Sequence, residues 1–205
     1  NLLQNKGAED GILFWNGQVE SLTSNQCNSV PVYLGDRFFG VGGICSNEQN
    51  TGLAEQFINV TSYSSQIDNG ELHVWYGGYL RTWAVNNDFP EISIEFFNGS
   101  GQLISSTPFA GNNQPVWTLV QQFYAIPPLT RRIKMILKGT RLGGGDNDSY
   151  FDELFVKLTT IGECPLCFGH SDIDSDNDGF CSDLDCNDND AEMFPGAAEL
   201  CDGSD

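Results

Sequence analysis

The 205-residue chain carries 28 acidic and 9 basic side chains, a formal charge of −19. Nucleic acid is excluded as a partner, because phosphate binding needs clustered Lys and Arg to displace counterions, and an anionic membrane surface is disfavoured for the same reason. No apolar run reaches the roughly 18 residues that span a bilayer, so no membrane insertion is expected.

The charge divides unevenly. Residues 1–160 hold 15 acids and all 9 bases, a net of −6, whereas residues 161–205 hold 13 acids and no base, a net of −13. Five of the seven cysteines fall in the second stretch. This break near Thr160-Ile161-Gly162 predicts two domains: a body over 1–160 and an Asp/Asn/Cys-rich segment over 161–205. The first residue is Asn1 rather than Met, so any leader is expected to have been removed.

Along the body, Cys27 and Cys45 are the two cysteines and are expected to bridge one loop region. Gly40-Val41-Gly42-Gly43 lacks the full dinucleotide-binding spacing and reads as a loop of a β protein. Leu53 to Asn59 is the one stretch with helical character, and it is short. Leu72 to Tyr76, Glu91 to Phe97, Arg132 to Leu137 and Tyr150 to Val156 then alternate with period 2, the pattern of strands with one face in a core. Asn98-Gly99-Ser100-Gly101 supplies a hairpin turn. Many short strands punctuated by 23 Gly and 8 Pro predict an all-β fold, a jelly-roll β-sandwich.

Tyr79, Arg81 and Trp83 share strand parity, which places an Arg and two aromatic rings on one face, the donors and platforms that hold a sugar. Trp83, beside Asn86-Asn87-Asp88, is the ring expected to be exposed, while Trp75 and Trp117 are expected in the core. No His-Glu-x-x-His or Gly-x-Ser-x-Gly occurs, and His73 and His170 are the only histidines, so no enzyme is expected and no catalytic residue is assigned. A carboxylate pair in a cleft remains open, since any two of the Asp and Glu side chains can form one. Asn59-Val60-Thr61, Asn98-Gly99-Ser100 and Asn147-Asp148-Ser149 are glycosylation sequons, meaningful in a eukaryotic source.

The final segment carries the densest chemistry. Asp174, Asp176 and Asp178 stand at positions 1, 3 and 5 of a loop, Gly179 at 6, the Phe180 carbonyl at 7 and Asp185 at 12, with Asp183 between; this spacing wraps one Ca²⁺ in oxygens. Position 12 is Asp rather than Glu and no helices flank the loop, so an EF-hand pair is not expected. Asp185, Asn187, Asp188, Asn189, Asp190 and Glu192 follow as a second oxygen-rich run. Cys164-Pro165-Leu166-Cys167 with Cys181 and Cys186 offers zinc as a competing reading. Carboxylate and amide oxygens favour calcium over copper, which takes His, Met or thiolate. A segment this small and acidic has no core of its own and needs ions and disulfides to hold it, which predicts an extracellular setting.

Three resemblances follow. Asn1 to Gly11 with Trp15, Phe57 to Val60, Val74 to Arg81, and Gly145 to Leu154 resemble galactose-binding-like jelly-roll modules of the carbohydrate-binding type. That resemblance implies a structural Ca²⁺ between Glu9 and Asp152, with Asp10 as a helper. The loop at 174–185 resembles thrombospondin type 3 calcium loops. Asp185 to Gly203, with its Pro-Gly-Ala and Cys-Asp-Gly elements, resembles the MopE-type metal-binding repeat of secreted bacterial proteins, which implies either that these 205 residues are a fragment of a longer protein or that the ordered part ends at Asp205. The expected function is a secreted or cell-surface, calcium-dependent adhesion or carbohydrate-binding module, with a glycan or polysaccharide as partner. Two alternatives stay open: a self-assembling subunit of an extracellular appendage or surface layer, and an ancillary module of a polysaccharide-degrading enzyme.

Overall fold

The computed structural model describes residues 1–45, 48–85 and 88–160. Each of the four alternating runs is a strand, as their period demands, and residues 1–158 form one compact unit. In chain order the strands are β1 (Asn16–Gly17), β2 (Val19–Leu22), β3 (Phe38–Val41), β4 (Thr51–Asn59), β5 (Leu72–Arg81), β6 (Asp88–Phe97), β7 (Leu103–Ser106), β8 (Ala110–Gly111), β9 (Thr118–Ala125), β10 (Arg132–Arg141) and β11 (Tyr150–Thr160). The α-helix α1 (Ser64–Asp68) makes a single turn.

They build two antiparallel sheets. The first has the order β1-β4-β10-β6-β7, with β8 also on β6, and the second has the order β2-β3-β11-β5-β9. Alternate side chains of the long strands meet between the sheets. Val74, Tyr76 and Leu80 of β5 and Phe151, Leu154 and Val156 of β11 face Ile92, Ile94 and Phe96 of β6 and Ile133, Met135 and Leu137 of β10. The spacing from Phe151 to Leu154 skips a residue, and Glu153 at that point has φ 47°, an irregularity of the bulge kind that resets the alternation. Thr107 Oγ1 brings a polar contact into this core, 2.7 Å from Tyr76 Oη, and also accepts the N–H of Ile94.

Leu53–Asn59 is strand, not helix. β4 pairs with β10 along its length, and its burial alternates from Thr51 to Asn59. Burial on the pleated sheet outweighs the modest helix propensity of Leu, Ala, Glu and Gln here.

The first residues line the last strand. Leu2 N–H donates to Val156 O at 2.7 Å and Leu154 N–H donates to Lys6 O at 3.0 Å, while Val156 N–H donates to Asn1 Oδ1. Cys27 and Cys45 are disulfide-bonded. The loop they close lays Val30 and Ile44 with Leu22, Phe38 and Tyr150 as a second apolar cluster, flanked by Val32 and Trp117.

Candidate functional site

A groove of about 390 Å³ lies on the outer face of the first sheet. Three cross-strand rows fixed by register build this face: Phe57, Lys134 and Glu95; Glu55, Ile136 and Ser93; Leu53, Lys138 and Glu91; all but Phe57 and Glu91 line the groove. β10 supplies the middle residue of each row, so its outward side chains meet two neighbours at once. Ser106, Thr107 and Phe109 close the groove on the β7 side.

Charge is paired across these rows. Lys134 Nζ donates to Glu95 Oε2 at 2.7 Å and to Glu55 Oε2 at 3.1 Å. Lys138 Nζ donates to Glu91 Oε2 at 2.6 Å. Burial opposes the charge on Lys134, but its hydrogen bonds to Glu95 and Glu55 outweigh it, and its pKa lies above the ordinary lysine value. The ammonium groups also sit over aromatic faces: Lys134 lies 5.6 Å from the Phe57 centroid and 5.5 Å from that of Phe97, and Lys138 lies 4.8 Å from that of Phe109. Such contacts hold a long side chain in one place. The groove therefore combines preset carboxylate acceptors, ammonium donors, Ser93 and Thr51 hydroxyls, and the exposed apolar surfaces of Leu53 and Phe109.

Tyr79 and Arg81 belong to the opposite sheet, and Trp83 follows them. Tyr79 stacks on Tyr33 with centroids 3.7 Å apart. Arg81 Nη2 donates to Pro115 O at 2.5 Å, and its guanidinium lies 5.7 Å from the Trp117 ring centroid. Tyr79 and Arg81 share the outer face of β5, while Trp83 lies past the end of that strand and is 57% exposed. Trp75 is buried on that outer face, with Nε1–H donating to Gln121 Oε1, rather than in the intersheet core.

Glu9 and Asp152 take backbone partners. Asp152 is fully buried. Its Oδ2 accepts the N–H groups of Tyr33 and Leu34, and its Oδ1 accepts that of Glu153. Glu9 Oε1 accepts the N–H groups of Asp36 and Arg37. Among the described residues no group of three or more His, Cys, Asp or Glu is placed to hold a metal ion. Glu9 and Asp152 thus both hold the backbone of the Tyr33–Arg37 loop. Asp174, Asp176, Asp178, Phe180, Asp183, Asp185, Asn187, Asn189 and Asp190 lie outside the described residues.

The groove residues carry a signal in the sequence. Glu91-Ile92-Ser93-Ile94-Glu95 and Lys134-Met135-Ile136-Leu137-Lys138 are alternating segments with opposite charge at matching spacing, the complement expected of neighbouring strands. Only the register identifies which Lys meets which Glu.

Residues 185–205 match the family model Cu-binding_MopE, described as "Putative metal-binding motif". No curated protein matches the chain. Among solved structures the body is similar in fold to one described as "Family 16 Carbohydrate Binding Module-2", at 14% identity and a TM-score of 0.53, covering 78% of this chain and 99% of that one. It is likewise similar to the enzymatically active domain of bacteriophage CBA120 tailspike protein 4, at 15% identity and a TM-score of 0.52, covering 78% of this chain. The alignment spans only 21% of the tailspike chain. The likeness is one of fold: an all-β sandwich of the kind used by carbohydrate-binding modules, followed in this chain by a metal-binding motif.

Proposed function

We propose that the body is a carbohydrate-binding module that takes a neutral polysaccharide into the groove of the first sheet. The groove's composition carries this reading. A sugar ring presents CH patches to apolar surface and hydroxyls to charged donors and acceptors, and both are arrayed along β4, β10 and β6. The two lysines are matched by Glu55, Glu91 and Glu95, which leaves no cationic excess for a polyanionic chain and favours an uncharged one. Each of these carboxylates already has an ammonium partner, an arrangement suited to holding hydroxyls rather than to cleaving a glycosidic bond. The fold likeness to a carbohydrate-binding module supports the same reading.

The final segment acts as a metal-binding element, and its oxygen-rich donors make calcium the ion. The match over 185–205 supports a metal, and donor hardness selects Ca²⁺. A disulfide in the body and calcium loops suited to extracellular concentrations support an extracellular setting.

Affinity electrophoresis and calorimetry of the full chain against a panel of neutral polysaccharides, with and without calcium, test both parts. Wild type binds at least one glycan, and Lys134→Ala weakens binding about tenfold or more, the cost of one charge-assisted hydrogen bond. Failure to bind any glycan, or binding indifferent to Lys134→Ala, overturns the groove. Absence of heat on titrating millimolar calcium into the glycan-free chain overturns the calcium assignment.

A further inference from the structure

Residues 96–130 contain no Asp, Glu, Lys, Arg or His, and the fold gathers this stretch at one side of the sandwich. It holds β7, β8 and β9. β7 ends the first sheet beyond β6, and β9 ends the second sheet beyond β5; β5 lies near β6, and β8 near β9. Leu103, Ile104, Phe109, Val116, Leu119 and Phe123 are all exposed there.

The four terminal strands differ in how they are protected. β1 has two residues, and β2 has four including the charged Glu20. β7 also has four, and its pairing with β6 shifts register at Phe96/Phe97. Short length, charge and irregular pairing are the ordinary defences of a sheet edge. β9 has none of them: eight uncharged residues pair with β5 in unbroken register from Thr118 to Ala125.

The phase of that ladder follows from one bond. Ile126 N–H donates to Leu72 O, and the register places these two residues directly opposite each other. Even-numbered residues of β9 therefore exchange hydrogen bonds with β5, while Leu119, Gln121, Phe123 and Ala125 direct N–H and C=O away from the sheet. Among the described residues β9 pairs with β5 alone.

We infer that this free edge pairs with the β9 edge of a second copy of the chain, antiparallel about a twofold axis, joining two five-stranded sheets into one. An antiparallel strand is complementary to itself, since each outward N–H meets an outward C=O of its copy. Charge selects the same face. The body carries a net −6, so two copies repel on most approaches, while this side brings no charge to the contact. Pro115 precedes the strand, and Pro127 and Pro128 follow it. Proline has no N–H to give, so it confines the pairing to the strand. A twofold contact uses up both edges and closes as a dimer rather than a fibre.

Sedimentation velocity of the full chain, from micromolar to submillimolar concentration and in both calcium and chelator, tests the inference. Wild type shifts to a particle of twice the chain mass as concentration rises. Leu119→Lys places a charge in each half of the contact, and Leu119→Pro removes one outward N–H; neither touches a bond to β5. Both remain monomeric across the range while keeping the wild-type far-ultraviolet circular dichroism. A wild type that stays monomeric throughout overturns the inference, and so does a dimer that survives in either folded variant.

Discussion

Glu9 and Asp152 hold one loop from its two ends. Asp152 Oδ2 accepts the N–H groups of Tyr33 and Leu34, at 3.2 and 3.1 Å, and Glu9 Oε1 accepts those of Asp36 and Arg37, at 2.9 and 3.1 Å. A residue of the opening loop and a residue of the last strand thus fix the backbone of Tyr33–Arg37. That loop places Tyr33 on Tyr79.

Asp152 makes stability depend on pH in a specific direction. Burial pushes its carboxyl up to about 6, against the pull of the N–H groups of Leu34, Glu153 and Tyr33. The unfolded value is about 3.9. Between the two values the folded state binds more protons than the unfolded one, so the contribution of this group falls as pH rises from about 4 to about 6. The stability of Asp152→Asn relative to wild type therefore rises by about 2 kcal/mol between about pH 4 and 7. Denaturant unfolding of both proteins at the two pH values checks this, and a constant difference refutes it.

The two carboxylates on Lys134 are unequal. The Glu95 side chain is 24% exposed and 2.7 Å from Nζ, whereas that of Glu55 is 40% exposed and 3.1 Å away. Solvent screening weakens the second contact. Glu95→Gln is expected to cost about 1 kcal/mol and Glu55→Gln about 0.5 kcal/mol or less. Urea melts in low salt measure the two costs, and the reverse order contradicts the assignment.

Neighbouring residues of β10 face different environments. Met135 is fully buried between the sheets, and Ile136 forms part of the groove floor. Met135→Ala leaves a cavity in the core and costs about 2–5 kcal/mol. Ile136→Ala, whose site opens to solvent, costs less and weakens glycan binding through the groove. Paired denaturation and binding measurements on the two variants separate these effects.

Breaking the disulfide loosens one end of the second sheet. Cys27 and Cys45 are 18 residues apart, and the loop between them carries Val30 and Phe38 onto Leu22 and Tyr150. The double change Cys27→Ser with Cys45→Ser is expected to cost about 3 kcal/mol. Trp117 Nε1–H donates to Pro31 O within this loop, so its indole proton loses protection in hydrogen exchange before the core of the sandwich does. Unchanged protection there shows that the loop stands without its bridge.

Much of the sandwich is legible in the chain because its strands alternate cleanly. Glu91–Phe97 and Arg132–Leu137 place Ile and Met inward and charge outward, and each is a strand. β4 is harder to read because its outward face carries Leu53 and Phe57 while its inward face includes Ala54 and the buried Gln56. Gln56 is accommodated by the backbone of Gln4, whose N–H donates to Oε1 and whose carbonyl accepts from Nε2. No local pattern announces such a partner 52 residues away. The groove is hidden for a related reason: Glu55, Glu95 and Lys134 each look like an ordinary solvent-side residue until register assembles them. The parity of Tyr79 and Arg81 is readable from sequence, whereas their cover by Tyr33 and Trp117 depends on loops that strand periodicity does not describe.

The contact between the opening residues and β11 also sets how the body answers mechanical load. Leu2 meets Val156 and Lys6 meets Leu154, in antiparallel order, so residue 1 lies close to the point where the chain leaves the sandwich. Tension applied between residue 1 and residue 158 pulls these bonds apart one after another, beginning at Val156, instead of shearing the whole ladder at once. Resistance to such a pull is that of a peeling seam. The body yields from its ends inward, at a rate set by the barrier to opening rather than by its equilibrium stability.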